Sequence, residues 1–518
     1  MTSQHPRRSF PLLIAYILIV LIPAPATYSA TADESISITR HQIETDHKPL
    51  AYTAETGRIA IRDVETGEPH GHMFYIAYRV PSPDKLRPVT FVWNGGPGAN
   101  SATLHFEVVG PKRAEGARLV DNAETWLTET DLVFVDPIGC GFSRPERAEY
   151  AAEFYGTVGD TASVTEFIRS WRLLHDADDA PLILVGESWG APRAATVAYA
   201  LERRGVRVNG LVLISGGTAI NKDYGPLELL RALHVADLSV TALYHSRLAP
   251  ALGNDLDAIR KAAVAWVRGI YAPALARVES LSDAERDAVI EQLARFTGLP
   301  AGRIDRKTLD ITPRQFRTSL LEDQGKELQT FDMRQAVRAG TDPAVVEYRA
   351  GAAILRYLRR DLGYRTDLPY VGLEPVEQGY APSGEYPKGV NERWNYATAE
   401  VSPEILKASI EEAAKRGSGP PRIGPPLPAT EEVVALNPRL KVLVASGIYD
   451  SYSICAAYKE LPQHLPPALR LAITFKSYVG GHMMYLDPPT RLRFSQDVKE
   501  MISAIRQEAG VRNGHQGE

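Results

Sequence analysis

Five short apolar runs, each ending in a glycine-bearing turn, most constrain what this chain can fold into. Val89-Thr90-Phe91-Val92-Trp93 runs into Asn94-Gly95-Gly96-Pro97-Gly98, and Leu132-Val133-Phe134-Val135 into Asp136-Pro137-Ile138-Gly139. Leu182-Ile183-Leu184-Val185 leads into Gly186-Glu187-Ser188-Trp189-Gly190, Leu211-Val212-Leu213-Ile214 into Ser215-Gly216-Gly217, and Lys441-Val442-Leu443-Val444-Ala445 into Ser446-Gly447. Runs this short and this continuously apolar read as strands buried on both faces, the signature of a parallel sheet. Between them the period changes to that of helices. Val164, Phe167, Ile168, Trp171 and Leu174 fall on one face, and Ala195, Val197, Ala198 and Leu201 on another. Alternating strand and helix predicts an α/β layered fold with a mostly parallel central sheet.

The flanking regions read differently. Residues 33–82 alternate apolar and polar, as in Phe74-Tyr75-Ile76-Ala77-Tyr78, and predict antiparallel strands at the start of the sheet. From residue 218 to 430 the strand pattern stops. Amphipathic helical stretches, Asp255 to Val278 and Ser282 to Phe296 among them, predict an inserted helical cap. The Gly/Pro-rich stretch Gly417 to Pro428 is its linker back into the sheet. The sheet domain then comprises residues 33–217 and 431–509, and the tail 510–518 is expected to be disordered. A chain of 518 residues exceeds what one compact core usually holds, which fits one large domain with an insertion, or two domains.

The N-terminus carries an address. Arg7 and Arg8 precede an apolar run from Phe10 to Ile22, and small residues follow to Ala30-Thr31-Ala32. That order predicts a secretory signal peptide over residues 1–32, with an apolar run too short for a comfortable membrane span. Arg7-Arg8-Ser9-Phe10 also suggests a twin-arginine signal, a pattern that Pro11 interrupts. No Asn-x-Ser/Thr sequon occurs, so a bacterial periplasmic or extracellular setting is expected. No other stretch is long and apolar enough to cross a membrane, and no membrane partner is expected beyond the signal segment. With 58 basic and 63 acidic residues the net charge is -5, which argues against a nucleic-acid partner. The only cysteines are Cys140 and Cys455; one bridge between them and two free thiols both fit. They cannot by themselves close a zinc site, and His70-Gly71-His72 has no third ligand at usable spacing. No metal and no cofactor is expected.

The chemistry centres on Ser188. Gly186-x-Ser188-x-Gly190 follows a strand and opens a helix, the sharp turn that lifts a serine hydroxyl clear of an α/β-hydrolase sheet. A serine at its own pKa is a poor nucleophile and needs a base oriented by a third group. In such chains the order is serine, then acid after a late strand, then histidine. Asp450 lies just beyond the run ending at Ala445, and His482 just beyond the run Leu471 to Phe475, so these two complete the predicted triad.

Four runs together resemble the serine carboxypeptidase family. They are Trp93-Asn94-Gly95-Gly96-Pro97-Gly98, Asp136-Pro137-Ile138-Gly139-Cys140-Gly141-Phe142-Ser143, Gly186-Glu187-Ser188-Trp189 and Gly481-His482. The resemblance covers roughly residues 70–217 and 435–505. It implies Ser188 as nucleophile, His482 as base and Asp450 as the carboxylate orienting it. It also implies an oxyanion hole from the backbone N–H groups of Gly96 and Trp189. Asn94 and Glu187 match the residues that hold a substrate's C-terminal carboxylate, and Glu107 matches their acidic partner after one gap. A glutamate binds a carboxylate only when protonated, and two carboxyls forced together raise one pKa, so peptide cleavage is expected to be best at acidic pH. The resemblance therefore implies a serine-type carboxypeptidase acting on peptides with a free C-terminus.

Departures from the family bear on the site. Trp189-Gly190-Ala191 follows the serine where relatives have Tyr-Ala-Gly or Tyr-Ser-Gly, and Gly447-Ile448-Tyr449-Asp450 stands where many read Gly-Asp-x-Asp. The same triad also serves acyltransferases and esterases of this family; the retained carboxylate-binding residues favour the peptidase. The intact triad positions and glycine runs argue against a hydrolase fold kept only for binding.

Overall fold

The computed structural model describes residues 36–45, 48–82, 86–341, 349–373, 389–399, 402–416 and 423–515. The signal segment 1–32 and the first part of the expected linker, 417–422, lie outside the described residues. A 10-stranded sheet forms the frame. Its main strands are β1 (Ser37–Glu44), β2 (Pro49–Arg62), β3 (Pro69–Arg79), β4 (Val89–Trp93), β5 (Asp131–Val135), β6 (Leu182–Glu187), β7 (Gly210–Ile214), β8 (Lys441–Gly447) and β9 (Ile473–Tyr478). Their spatial order is β1-β2-β3-β5-β4-β6-β7-β8-β9, with the short strand Arg144–Pro145 beside β3. The first three strands pair antiparallel, as does β3 with β5. From β5 to β9 every pairing is parallel.

The burial explains the sequence pattern. Every residue of β4, β5, β6 and β7 is buried, as a parallel strand covered on both faces requires. β2 instead alternates, with Tyr52, Ala54 and Thr56 buried and their neighbours part-exposed. Successive side chains of the central strands point to opposite faces. Phe91, Trp93, Leu182, Leu184, Leu211 and Leu213 pack with α1 (Thr157–Leu174) and α2 (Gly190–Glu202), through Phe167, Trp171, Ala194 and Val197.

The insertion between β7 and β8 builds its own core. α3 (His234–Tyr244), α4 (Leu256–Trp266) and α5 (Asp283–Thr297) bury Leu238, Ala263 and Leu293 together with Phe316 and Met333. Ser282 and Glu285 form a reciprocal capping box at the start of α5, and Gly298 ends it in the left-handed region. The other face of the sheet, with Val92, Ile183, Val185, Val212 and Ile214, is covered by α6 (Gly351–Arg356), α7 (Pro488–His515) and the turns Ala102–Val109. From Ile36 onward the chain forms one compact unit, so the inserted helices share a body with the sheet.

Two expectations change. The insertion is not wholly helical: Lys326–Leu328 and Ala336–Arg338 pair as an antiparallel hairpin. Three-residue strands carrying Lys326, Glu327 and Arg338 leave no alternating apolar signal to read. The expected disordered tail begins inside α7, which continues past Gly510 to His515. A glycine costs a helix about 1 kcal/mol, which an established helix absorbs because each added residue gains a hydrogen bond.

Leu293 is fully buried in the insertion core. Leu293→Ala should destabilise the protein by about 2–5 kcal/mol, seen as a lower denaturation midpoint. Because the insertion shares one unit with the sheet, the loss should appear in the main unfolding transition.

Candidate active site

The end of β6 sets the position of the nucleophile. Glu187 is the last strand residue, and α2 begins three residues later at Gly190. Ser188 occupies the turn with φ +54°, a conformation L-residues rarely adopt outside strained functional turns. Its N–H donates to the Ile214 carbonyl at 2.8 Å, tying the turn to the end of β7. The flanking glycines are steric necessities. A Cβ on Gly186 would lie 1.9 Å from the Gly190 oxygen. A Cβ on Gly95 would lie 2.5 Å from Trp189 N and 2.9 Å from Ser188 Cβ, so only glycine lets that loop close over the elbow.

Asp450 and His482 come from the loops after β8 and β9, and the structure brings them together. The imidazole Nδ1 and the Asp450 Oδ2 are 2.9 Å apart, with both side chains buried. A carboxylate can only accept, so Nδ1 carries the proton and Nε2 of the neutral ring is the free base. His482 Nε2 is buried and has no hydrogen-bond partner among the described residues. Asp450 is held in turn by the Ser453 hydroxyl at 2.8 Å and the Tyr452 N–H at 3.0 Å. Burial works to lower the His482 pKa, but the Asp450 carboxylate and then the Glu187 charge outweigh it and leave the pKa raised.

A polar pocket lies beside the elbow. The Asn94 amide donates to Glu187 Oε2, and Asn94 Oδ1 accepts the Leu104 N–H at 3.1 Å. Glu187 is only 4% exposed, and burial pushes its carboxyl above the usual carboxylate range. Arg193 fixes the Asn94 loop from behind. Its Nη1 donates to the Asn94 carbonyl at 2.9 Å, while its Nε pairs with the buried Asp160 at 2.5 Å. The N–H groups of Gly96 and Trp189 donate to no protein acceptor among the described residues, as an oxyanion hole requires.

Glu107 departs from expectation. It sits in the π-turn His105–Val109, which packs against Met484–Leu486, but no hydrogen bond joins it to Glu187 or Asn94 among the described residues. Burial raises its pKa to about 7, with Arg113 and Arg491 pulling back. No second carboxyl contributes to that rise, so the expected carboxyl pair is not formed. Glu187 Oε1 instead accepts from the Tyr485 hydroxyl at 2.6 Å. Sequence reasoning missed Tyr485; its place three residues after His482, in the loop that carries the base, was the available signal.

The inserted segment Thr330–Arg334 was also missed. It lies across both catalytic loops. The Thr330 carbonyl accepts from the Ser451 hydroxyl at 2.7 Å, the Phe331 carbonyl from the His482 N–H at 2.5 Å, and Met333 N–H donates to the Tyr449 carbonyl at 2.9 Å. The Phe331 ring lies 5.1 Å from the His482 ring. On the other side of the elbow, Trp189 meets Tyr396 edge-on at 5.5 Å and Trp394 at 6.3 Å, both from the insertion. Cys140 and Cys455 are both free and buried. His70 and His72 bond to different carboxylates, Glu153 and Glu146.

Sheet order, elbow and the Asp–His pair define an α/β-hydrolase. Residues 48–213 match the family described as serine carboxypeptidase. The matched span contains Asn94, Glu187 and Ser188 and ends before Asp450 and His482. Serine carboxypeptidase-like 51 of Arabidopsis thaliana is 29% identical over 140 residues, 26% of this chain and 30% of the relative. The pheromone-processing carboxypeptidase KEX1 of Verticillium alfalfae is 29% identical over 153 residues, 27% of this chain and 23% of the relative. A carboxypeptidase Y homolog A of Talaromyces stipitatus is 32% identical over 165 residues, 30% and 28% of the two chains. The matches thus span less than a third of these relatives. Among solved structures, a prohormone-processing carboxypeptidase from Saccharomyces cerevisiae aligns over 88% of this chain and 92% of its own, with 14% identity and a TM-score of 0.45.

An asparagine at position 450 can turn its amide nitrogen toward Nδ1 and hold the wrong tautomer. Asp450→Asn should therefore lower kcat by about 10⁴-fold on ester and peptide substrates alike, in steady-state assays.

Proposed function

We propose that this protein is a serine-type carboxypeptidase that releases the C-terminal residue of peptides through an acyl-enzyme on Ser188. The observation that carries the reading is the position of Glu187: a buried carboxyl, bonded by the Asn94 amide, one peptide bond from the nucleophile. In its protonated form this pair offers two donors to a free carboxylate, which selects a chain end over an internal segment.

The geometry supports the following chemistry. With the last residue's carboxylate on Asn94 and protonated Glu187, Ser188 Oγ attacks the preceding carbonyl. His482 Nε2 takes the hydroxyl proton, and Asp450 stabilises the imidazolium. The developing oxyanion accepts from the Gly96 and Trp189 N–H groups. His482 then protonates the leaving amine, and the free amino acid departs. Water, activated by the same base, attacks the acyl-enzyme and restores Ser188. The Trp189, Trp394 and Tyr396 rings and the Phe331 ring give the site aromatic walls on both sides. The signal-like segment of residues 1–32 supports export from the cytoplasm.

Two titrations should bound the activity. His482 must be neutral to act, and its raised pKa removes activity as pH falls. Glu187 must be protonated to bind, and its raised pKa keeps it so well above the usual carboxylate range, until it ionises and binding fails as pH rises. The acid limb should appear in kcat for every substrate. The alkaline limb should appear in KM for blocked dipeptides and be missing for esters without a free carboxylate. A peptide kcat/KM that is flat from pH 4 to pH 8 refutes the carboxylate pocket.

Asn94→Ala should reduce kcat/KM on a blocked dipeptide by about 10- to 100-fold, the loss of one hydrogen bond to a charged group. A simple ester should lose much less; equal losses on both substrates speak against the assigned role.

A further inference from the structure

Glu187 has two carboxyl oxygens, and the structure gives them different partners. Oε2 faces the Asn94 amide, on the side where a substrate carboxylate would be received. Oε1 accepts from the Tyr485 hydroxyl at 2.6 Å. Tyr485 is fully buried and belongs to the short turn Met484–Leu486 that follows the catalytic histidine. Both oxygens accept a hydrogen bond, but a phenol O–H is a stronger donor than an amide N–H, which makes Oε1 the poorer site for a proton. The proton that Glu187 needs for binding is therefore directed to Oε2, where its O–H lies beside the Asn94 N–H.

We propose that Tyr485 is a positioning residue of the carboxylate pocket: its hydroxyl holds Oε1 as the carbonyl oxygen, leaves Oε2 to carry the proton toward the substrate, and sets the pH at which the pocket stops accepting a peptide C-terminus. The proposal rests on the carboxypeptidase reading above and adds what controls the protonation of Glu187. A hydroxyl donating to a carboxyl favours the ionised form, so Tyr485 opposes burial. Specific placement of the proton is thus gained at the expense of the pH range.

The other groups around Glu187 do not supply this control. From the catalytic loops, His482 favours the charged form of Glu187 and Asp450 disfavours it. From the turn His105–Val109, burial keeps His105 neutral, with its Nε2 on the Tyr78 hydroxyl, and Glu107 is compensated by Arg113 and Arg491. From the loop after β4, Asn94 bonds to the other oxygen. Asn94 favours the ionised form as well, but as the weaker donor it leaves Oε2 the better site for the proton.

The experiment measures KM and kcat for a blocked dipeptide and its C-terminal amide from pH 4 to pH 9, in wild type, Tyr485→Phe and Glu187→Gln. In wild type, the dipeptide KM should rise with pH while the amide KM stays level. In Tyr485→Phe the acid-plateau KM should rise about tenfold, and the upturn should move about one pH unit higher, with kcat changed less than KM. Unfolding curves confirm that the variant is folded. Glu187→Gln keeps Tyr485 in place and removes the titrating carboxyl. Its dipeptide KM should be flat with pH. An upturn at the wild-type pH in folded Tyr485→Phe overturns the proposal, as does a Glu187→Gln dipeptide KM that still rises with pH. A wild-type dipeptide KM that never rises with pH overturns the carboxypeptidase reading itself, so the two failures are distinguishable.

Discussion

A carboxyl buried at the end of a central strand, next to the nucleophile and without a cation against it, is the constraint on which the site depends. Among the described residues Glu187 makes no salt bridge; its hydrogen bonds come from the neutral donors Asn94 and Tyr485. Burying a carboxylate this way is costly, so the group is easily protonated. The same adjacency fixes distance. Glu187 ends β6 and Ser188 is the next residue, so whatever Glu187 binds lies one residue's reach from the reacting oxygen. Arg193 and Asp160 then hold the Asn94 loop against the helix that begins at the elbow. The Asn94 loop, Glu187 and Ser188 are thus joined at the carboxyl ends of β4 and β6.

Much of this was legible in the sequence because it is expressed locally. Strands buried on both faces have to be short and continuously apolar, so β4 through β8 stood out as such. Tight turns need glycine, so Gly95 and Gly186 marked the loops before any coordinates were known. Asp450 and His482 were found by chain order, and their 2.9 Å contact agrees with that order. The family match covers the first half of this frame, where the glycine-rich runs are densest.

What was not legible depends on contacts between distant segments. The motif predicted a pair of carboxyls, Glu187 with Glu107, and the structure holds Glu187 with a phenol instead. Both arrangements place a proton in the pocket. They differ in how: two carboxyls share one by repulsion, whereas a hydroxyl directs it by occupying one oxygen. No periodicity announces a tyrosine in that role. The strand pair Lys326–Leu328 and Ala336–Arg338 was equally silent, since its residues are charged or small and its pairing is with itself.

The hairpin's connecting segment has an evolutionary consequence. Thr330, Phe331 and Met333 give their backbone groups to the loops of Asp450 and His482. An insertion is usually the freely exchangeable part of such an enzyme, the place where new specificity is acquired by replacing a module. Here the module and the catalytic loops share hydrogen bonds, so the frame cannot be pared down to sheet and triad. A transplanted cap would have to bring its own acceptor for the histidine's amide. Side chains such as Trp394 and Tyr396, which border the elbow without holding the base in place, are the parts of the insertion free to be exchanged.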